Sequence, residues 1–170
     1  MNLQYKLLLL DRDGVINMKL PEGRYVKEKS DLILLHEVIE EIALLTQKIQ
    51  VAIITNQQGV GKGLMTEGEL NNIHNIINLE IRNLGGRDLR AFSCLHRSEE
   101  DCACRKPKTG LLLDAMAFYR VTPQETLFIG DQESDREAAR LSKVTFLKTD
   151  GCETTVRHLR KVLGNENVEK

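Results

Sequence analysis

The chain has 170 residues, 41% hydrophobic and 29% charged, with 24 basic against 25 acidic side chains and a formal net charge of −1. That is one domain's worth of ordinary globular composition, without the basic surplus of a nucleic-acid binder. No apolar run is long enough to cross a membrane, and the N-terminal stretch is too short for a secretory leader, so the expected location is a reducing cytoplasm.

Lys6 to Leu10 reads as a short buried strand that stops on Asp11-Arg12-Asp13-Gly14-Val15. The carboxyl ends of strands in an open α/β sheet are where ligands bind. Two carboxylates placed there repel each other unless a cation or a phosphate needs them, although Asp-x-Asp-Gly alone is also a common strand-end turn. From His36 to Ile49, the positions Val38, Ile39, Ile42, Leu45 and Ile49 mark one face of an amphipathic helix. Val51 to Thr55 is a second buried strand, followed by Asn56-Gln57-Gln58-Gly59. Glu67 to Leu84 repeats the helical spacing and ends on Gly85-Gly86. Leu89 to Cys94 is a third strand, Thr109 to Tyr119 a helix, and Thr126 to Ile129 a strand ending in Gly130-Asp131. Helix Glu133 to Leu141, strand Val144 to Leu147 and a helix over Thr155 to Leu163 follow, then a polar frayed end from Gly164 to Lys170. Alternating strands and helices predict an α/β, Rossmann-like three-layer sandwich around a mainly parallel sheet. There is no internal repeat or linker and no room for a second domain, so residues 1–170 are expected to form one domain.

Four segments bring polar groups to predicted strand ends or helix starts: Asp11 and Asp13; Thr55, Asn56 and Gln57; Arg105-Lys106-Pro107-Lys108; and Gly130-Asp131 with Glu133 and Asp135 beyond. Their joint placement on one sheet edge suits phosphoryl transfer. A phosphate dianion repels an attacking carboxylate unless positive charge lies beside it. Asp11 and Asp131 offer hard oxygen ligands for Mg²⁺, Lys106 a point charge, and Thr55 a hydroxyl donor. Asp13 is placed to protonate a leaving alkoxide and then deprotonate water.

Between these motifs Cys94-Leu95-His96 and Cys102-Ala103-Cys104 spell C-x-H-x₅-C-x-C. Three thiolates and an imidazole in a loop spanning residues 94–104 match a closed tetrahedral Zn²⁺ site, structural because no position is left open. Such an ion would brace the loop that delivers Arg105 and Lys106. His36, His74 and His158 fall in or beside helical patterns and are read as ordinary side chains, not bases. Gly59-x-Gly61-x-Gly63 lacks dinucleotide-binding spacing.

Asp11-Arg12-Asp13-Gly14-Val15, Thr55-Asn56-Gln57, Lys106 and Gly130-Asp131-x-x-x-Asp135 together resemble the haloacid dehalogenase-like phosphatases. The resemblance implies Asp11 as nucleophile, Asp13 as acid/base, Thr55 and Lys106 as phosphate stabilisers, and Mg²⁺ held by Asp11, the Asp13 carbonyl and Asp131. Arg12, Asn56, Gln57, Gln58 and Arg105 are the expected substrate contacts. Cys-x-His, Cys-x-Cys-Arg-Lys-Pro-Lys and Thr-Asn-Gln-Gln-Gly-Val-Gly-Lys-Gly resemble its zinc-containing branch without a cap domain. That branch includes heptose bisphosphate 7-phosphatases and histidinol-phosphate phosphatases. Gly23-Arg24-Tyr25-Val26 and the Gly61 to Glu67 segment resemble the heptose enzymes, whereas the His96–Cys102 gap resembles the histidinol-phosphate enzymes. Gln132 also departs from the heptose pattern, where a Lys commonly follows the metal-binding Asp. A small phosphorylated metabolite, with a sugar bisphosphate favoured, is the expected partner of a monomer that binds neither nucleic acid nor membrane. Outside catalysis, a zinc-containing binding protein is the rival reading, and retention of both Asp11 and Asp13 weighs against it.

Overall fold

The computed structural model describes residues 4–164. Five strands, β1 (Leu7–Leu10), β2 (Gln50–Asn56), β3 (Arg90–Cys94), β4 (Thr126–Gly130) and β5 (Thr145–Lys148), form one sheet in the order β3-β2-β1-β4-β5. Every pairing is parallel, so the sheet is wholly rather than mainly so.

The four leucines of β1 show why this strand is central. Successive strand side chains point to opposite faces. Leu8 and Leu10 join one core with Val38, Ile39 and Ile42 of α1 (His36–Thr46), Ile73, Ile77 and Ile81 of α3 (Glu67–Asn83), and Val156 and Leu159 of α6 (Cys152–Val162). Leu7 and Leu9 join the other, with Leu111, Leu112 and Ala115 of α4 (Gly110–Tyr119) and Ala138 and Ala139 of α5 (Glu133–Leu141). All four are fully buried, each worth roughly 1.5–3 kcal/mol. Helices cover both faces, as a parallel sheet of continuous apolar strands requires.

α3 begins on a reciprocal cap in which Glu69 N donates to Thr66 Oγ1 (3.1 Å) and Thr66 N to Glu69 Oε2 (2.6 Å). It stops where expected, with Gly86 N donating to Ile81 O (2.9 Å). Other boundaries moved. α1 ends at Thr46, not Ile49, because the Thr46 hydroxyl turns back to Ala43 O (2.7 Å) and also accepts from Arg87 N (2.9 Å). The last helix starts at Cys152, three residues before Thr155, whose N–H and hydroxyl both reach back to Gly151 O. A one-turn helix, α2 (Gln58–Gly61), follows β2 and was not expected from its two glycines. The polar end read as frayed lies, beyond Gly164, outside the described residues.

The chain runs outward from β1 through β2 to β3, then returns to place β4 on the other side of β1. That reversal opens a crevice at the carboxyl ends of β1 and β4, where doubly wound sheets bind ligands. Leu10 pairs with Ile129, and Asp11 N donates to Ile129 O (3.0 Å), so Asp11 and Asp131 leave adjacent strands side by side. Among the described residues no helix is long and apolar enough to cross a membrane.

Candidate active site

At this crevice a buried cation stands between two carboxylates. Lys106 Nζ lies 2.8 Å from Asp11 Oδ1 and 2.6 Å from Asp135 Oδ1, and donates to Ile54 O (3.0 Å). Burial alone would lower the Lys106 pKa, but Asp11 and Asp135 outweigh it and raise it, so the ammonium stays charged. Burial raises Asp11 to about 7, against the pull of Lys106 and with the push of Asp135 and Asp13. Asp135 is fully buried and accepts from Gln132 N (3.0 Å). The sequence pattern contained Asp135 without giving it a task; its depth and its contact with Lys106 supply one.

Asp13 is held by three side chains. Arg12 Nε and Nη2 donate to Oδ1 (3.3 and 3.0 Å), and Nη2 also to Oδ2 (3.0 Å). Asn17 Nδ2 donates to Oδ1 (3.0 Å) and Gln57 Nε2 to Oδ2 (2.9 Å). Burial would raise the Asp13 carboxyl, yet the Arg12 charge with the Asn17 and Gln57 hydrogen bonds holds it below its ordinary value. Gln57 Nε2 also donates to Thr55 Oγ1 (2.8 Å), leaving the Thr55 hydroxyl proton free to point at a ligand.

Arg12, Asn56 and Gln57, expected from the sequence as substrate contacts, each have partners within the protein. Arg12 is 1% exposed and turned onto Asp13. Gln57 is buried between Asp13 and Thr55. Asn56 uses both amide atoms on the Lys106 backbone, Nδ2 to O (3.0 Å) and Lys106 N to Oδ1 (3.1 Å). These residues hold the reactive groups. Gln58 Oε1 and Arg105 Nη1, by contrast, are buried atoms without a protein partner. Lys19 reaches over the site to within 3.5 Å of Asp131 Oδ2.

Carboxylate oxygens of Asp11, Asp131 and Asp135 lie within 4.8 Å of one another. Asp131 Oδ1 is buried with no hydrogen-bond partner, and Asp131 Oδ2 accepts from Gln132. A buried orphan oxygen among carboxylates fits a hard divalent cation such as Mg²⁺. Gly14 permits this arrangement. Its φ is +93°, and a Cβ there would sit 2.6 Å from Asp131 Oδ2. Gly14→Ala should therefore cost at least about 1 kcal/mol from its backbone alone and displace Asp131 as well. In thermal unfolding, the rise in melting temperature produced by Mg²⁺ should shrink in this variant; an undiminished rise would contradict the placement of Asp131.

Cys94, His96, Cys102 and Cys104 converge, although they come from the end of β3 and the loop beyond. The Cys102–Cys94 and Cys102–Cys104 sulfur pairs are 3.5 Å apart, and His96 Nδ1 lies 3.8 Å from Cys94 Sγ and 3.3 Å from Cys104 Sγ. A tetrahedral ion with bonds of about 2.0–2.3 Å has ligand–ligand edges of about this length, so the donor set fits Zn²⁺. Burial and the two neighbouring sulfurs push the Cys104 thiol up to about 12.

Two surface clefts, about 540 and 390 Å³, flank α3, and none of the groups just described lines either.

Comparison with known proteins is consistent with this geometry. The family described as polynucleotide kinase 3 phosphatase matches residues 6–154. The probable D-glycero-D-manno-heptose-1,7-bisphosphate 7-phosphatase of Thermoplasma volcanium is 33% identical over 147 residues, covering 83% of this chain and 96% of that protein. The D-glycero-beta-D-manno-heptose-1,7-bisphosphate 7-phosphatase of Pseudomonas aeruginosa is 38% identical over 135 residues, covering 79% and 75%. The crystal structure of the D,D-heptose 1,7-bisphosphate phosphatase of Bordetella bronchiseptica with magnesium and phosphate superposes with a TM-score of 0.81 at 32% identity, covering 97% of this chain and 89% of that one.

Proposed function

We propose that this chain, which belongs to the haloacid dehalogenase-like phosphatases of the heptose bisphosphate branch, removes the 7-phosphate of D-glycero-D-manno-heptose 1,7-bisphosphate. The observation that carries the reading is Lys106, pinned between Asp11 and Asp135 where β1 and β4 end. It is a phosphatase.

Asp11 attacks phosphorus and becomes an aspartyl phosphate, so one slow displacement is divided into two. Lys106, with Asp135 fixing its ammonium, offsets charge on the transferring phosphoryl group, and Thr55 donates its hydroxyl to a phosphate oxygen. Asp13 gives a proton to the departing sugar oxygen and then takes one from the water that cleaves the acyl phosphate. Arg12, Asn17 and Gln57 favour the charged form of Asp13, the form that takes the proton from water. Mg²⁺, held by Asp11, Asp131 and the Asp13 carbonyl, supplies the positive charge that lets an anionic nucleophile meet an anionic ester. Arg105 and Gln58, with unpaired polar atoms, are the substrate contacts that remain.

The single domain without a cap leaves discrimination to the rim, formed by residues 19–26, 58–65 and the zinc loop. A monomer in the cytoplasm suits four cysteines without a disulfide and a small soluble substrate. Phosphate release with Mg²⁺ should be fastest, by kcat/KM, on the heptose bisphosphate, and should vanish with EDTA. Histidinol phosphate and a 3′-phosphorylated oligonucleotide are the competitors to include; either one proving faster overturns the substrate assignment. With a net charge of −1, the chain lacks the electrostatic attraction an oligonucleotide requires.

Zn²⁺ is proposed for the Cys94, His96, Cys102 and Cys104 cluster. Purified protein should carry about one zinc per chain, distinct from exchangeable Mg²⁺. Cys104→Ser should lose the zinc, unfold at lower temperature and retain little activity, since Arg105 and Lys106 follow immediately. Freshly purified, reduced protein free of zinc by elemental analysis removes this claim.

A further inference from the structure

Side-chain exposure rises across the site from 0% at Asp135 through 3% at Lys106, 10% at Asp11 and 14% at Asp131 to 49% at Lys19. A phosphoryl group held between Asp11 and Lys106 therefore leaves the rest of its substrate on the Lys19 side. Lys19 Nζ lies 3.5 Å from Asp131 Oδ2, and it is the one cation paired with Asp131 among the described residues. Gln132 donates to the same oxygen but carries no charge. Nothing in the chemistry above uses Lys19.

The backbone that carries Lys19 is held on both sides. Asn17 is fully buried and spends its Nδ2 on Asp13 Oδ1 (3.0 Å) and Met18 O (2.8 Å), while Met18 N donates to Ile33 O (2.8 Å). The chain entering Lys19 is thus tied to the carboxylate of Asp13. Beyond it Pro21 to Arg24 make a turn, with Arg24 N donating to Pro21 O (3.0 Å) and Gly23 at φ +80°. The segment then packs on α2: a Cβ on Gly59 would lie 3.0 Å from the Tyr25 ring, and Val26 is buried.

We propose that Lys19 is a specificity-determining residue, whose ammonium takes the second phosphate of a sugar bisphosphate at the outer end of the crevice. The other two cations of the site are committed, Arg12 to Asp13 and Lys106 to Asp11 and Asp135. The Lys19 contact is longer than the roughly 2.7–2.9 Å of a tight charge-assisted hydrogen bond, and an ammonium has three donors, so it can keep Asp131 and still meet an incoming oxyanion.

The proposal rests on the bisphosphate reading, and two substrates separate the ideas. The heptose 1,7-bisphosphate and the heptose 7-phosphate share a leaving group and differ by one phosphate. Wild type should favour the bisphosphate by kcat/KM. Lys19→Met should lower that preference about tenfold, mainly through KM, because a contact made equally in ground and transition states acts on binding. Lys19→Arg should keep most of it, and Lys19→Glu should lower it further; these two carry the comparison should Lys19→Met not fold. Titration calorimetry gives a readout apart from turnover. With the ammonium gone from Asp131, Mg²⁺ should bind Lys19→Met at least as tightly as wild type, since like charges repel. A residue that merely holds Asp131 would instead weaken Mg²⁺ binding on removal and lower both substrates alike, and that result overturns the proposal. If wild type favours the bisphosphate and Lys19→Met does so within about twofold of it, Lys19 fails alone and the substrate reading stands. If wild type shows no preference, the substrate reading fails and takes the proposal with it.

Discussion

Asp11→Asn should lower phosphate release by at least about 10⁴-fold while leaving the fold intact, because nucleophile and acid/base act as a unit and losing one removes most of the rate. The substitution changes one atom and no volume. The Asn carbonyl oxygen can still accept from Lys106, and Lys106 keeps Asp135 at 2.6 Å, so no buried charge is stranded. It also relieves a buried carboxylate already pushed to about 7, so stability should hold or rise slightly. What disappears is the oxygen able to form an acyl phosphate. Circular dichroism and melting temperature report the fold, and acid-stable labelling with ³²P from substrate, present in wild type, reports the intermediate. Turnover within tenfold of wild type would mean that the covalent route through Asp11 is wrong.

Lys106→Met should be the most damaging change to both stability and activity. Methionine matches the lysine stem but leaves Asp11 and Asp135 facing each other without a cation. Removing one partner from a buried ion pair typically costs about 3–5 kcal/mol, far more than an exposed pair is worth. Such a loss is a large fraction of the stability of a domain this size. Chemical denaturation measures it. Adding Asp135→Asn should recover part of the loss, because that side chain is the deeper of the two stranded carboxylates; the Gln132 N–H can still find the amide oxygen. Activity should not return in the double variant, since the charge beside the phosphate is still missing. A single variant as stable as wild type would show that Lys106 is not held as described.

Much of the architecture was legible because its signals are local. Leu7 to Leu10 stops on two aspartates, and all four leucines are buried with the acids at the strand's end. Gly85-Gly86 closed α3 where the sequence placed its stop. The short α2 escaped because Gly59 and Gly61 lower helix propensity; its turn is instead secured by Gly61 N donating to Leu95 O (3.0 Å), a contact from a distant segment. The same division holds in the site. Asp11, Lys106 and the pair Asp131 and Asp135 lie far apart in sequence and come together at the crevice. Arg12 and Asp13 are adjacent in sequence, yet Arg12 is buried and Asp13 is left partly open. Asp135 lay in the pattern as a spaced acid, and its bond to Lys106 depends on α5 docking against the sheet.

The loop over residues 94–104 and the turn after β2 are laced together by hydrogen bonds. Gln57 N donates to Cys94 O (2.7 Å), Gly61 N to Leu95 O, and Asn56 brackets the Lys106 peptide. Gly110 continues this at the foot of α4, where a Cβ would lie 2.7 Å from Ala103 O. Each freely moving residue that becomes ordered costs about 1–2 kcal/mol of conformational entropy. In this molecule that ordering takes place once, when the chain folds, and is not repeated at each encounter with a ligand. Recognition can then proceed against a rim already shaped, with affinity set by contacts rather than diminished by the disorder they would otherwise have to suppress.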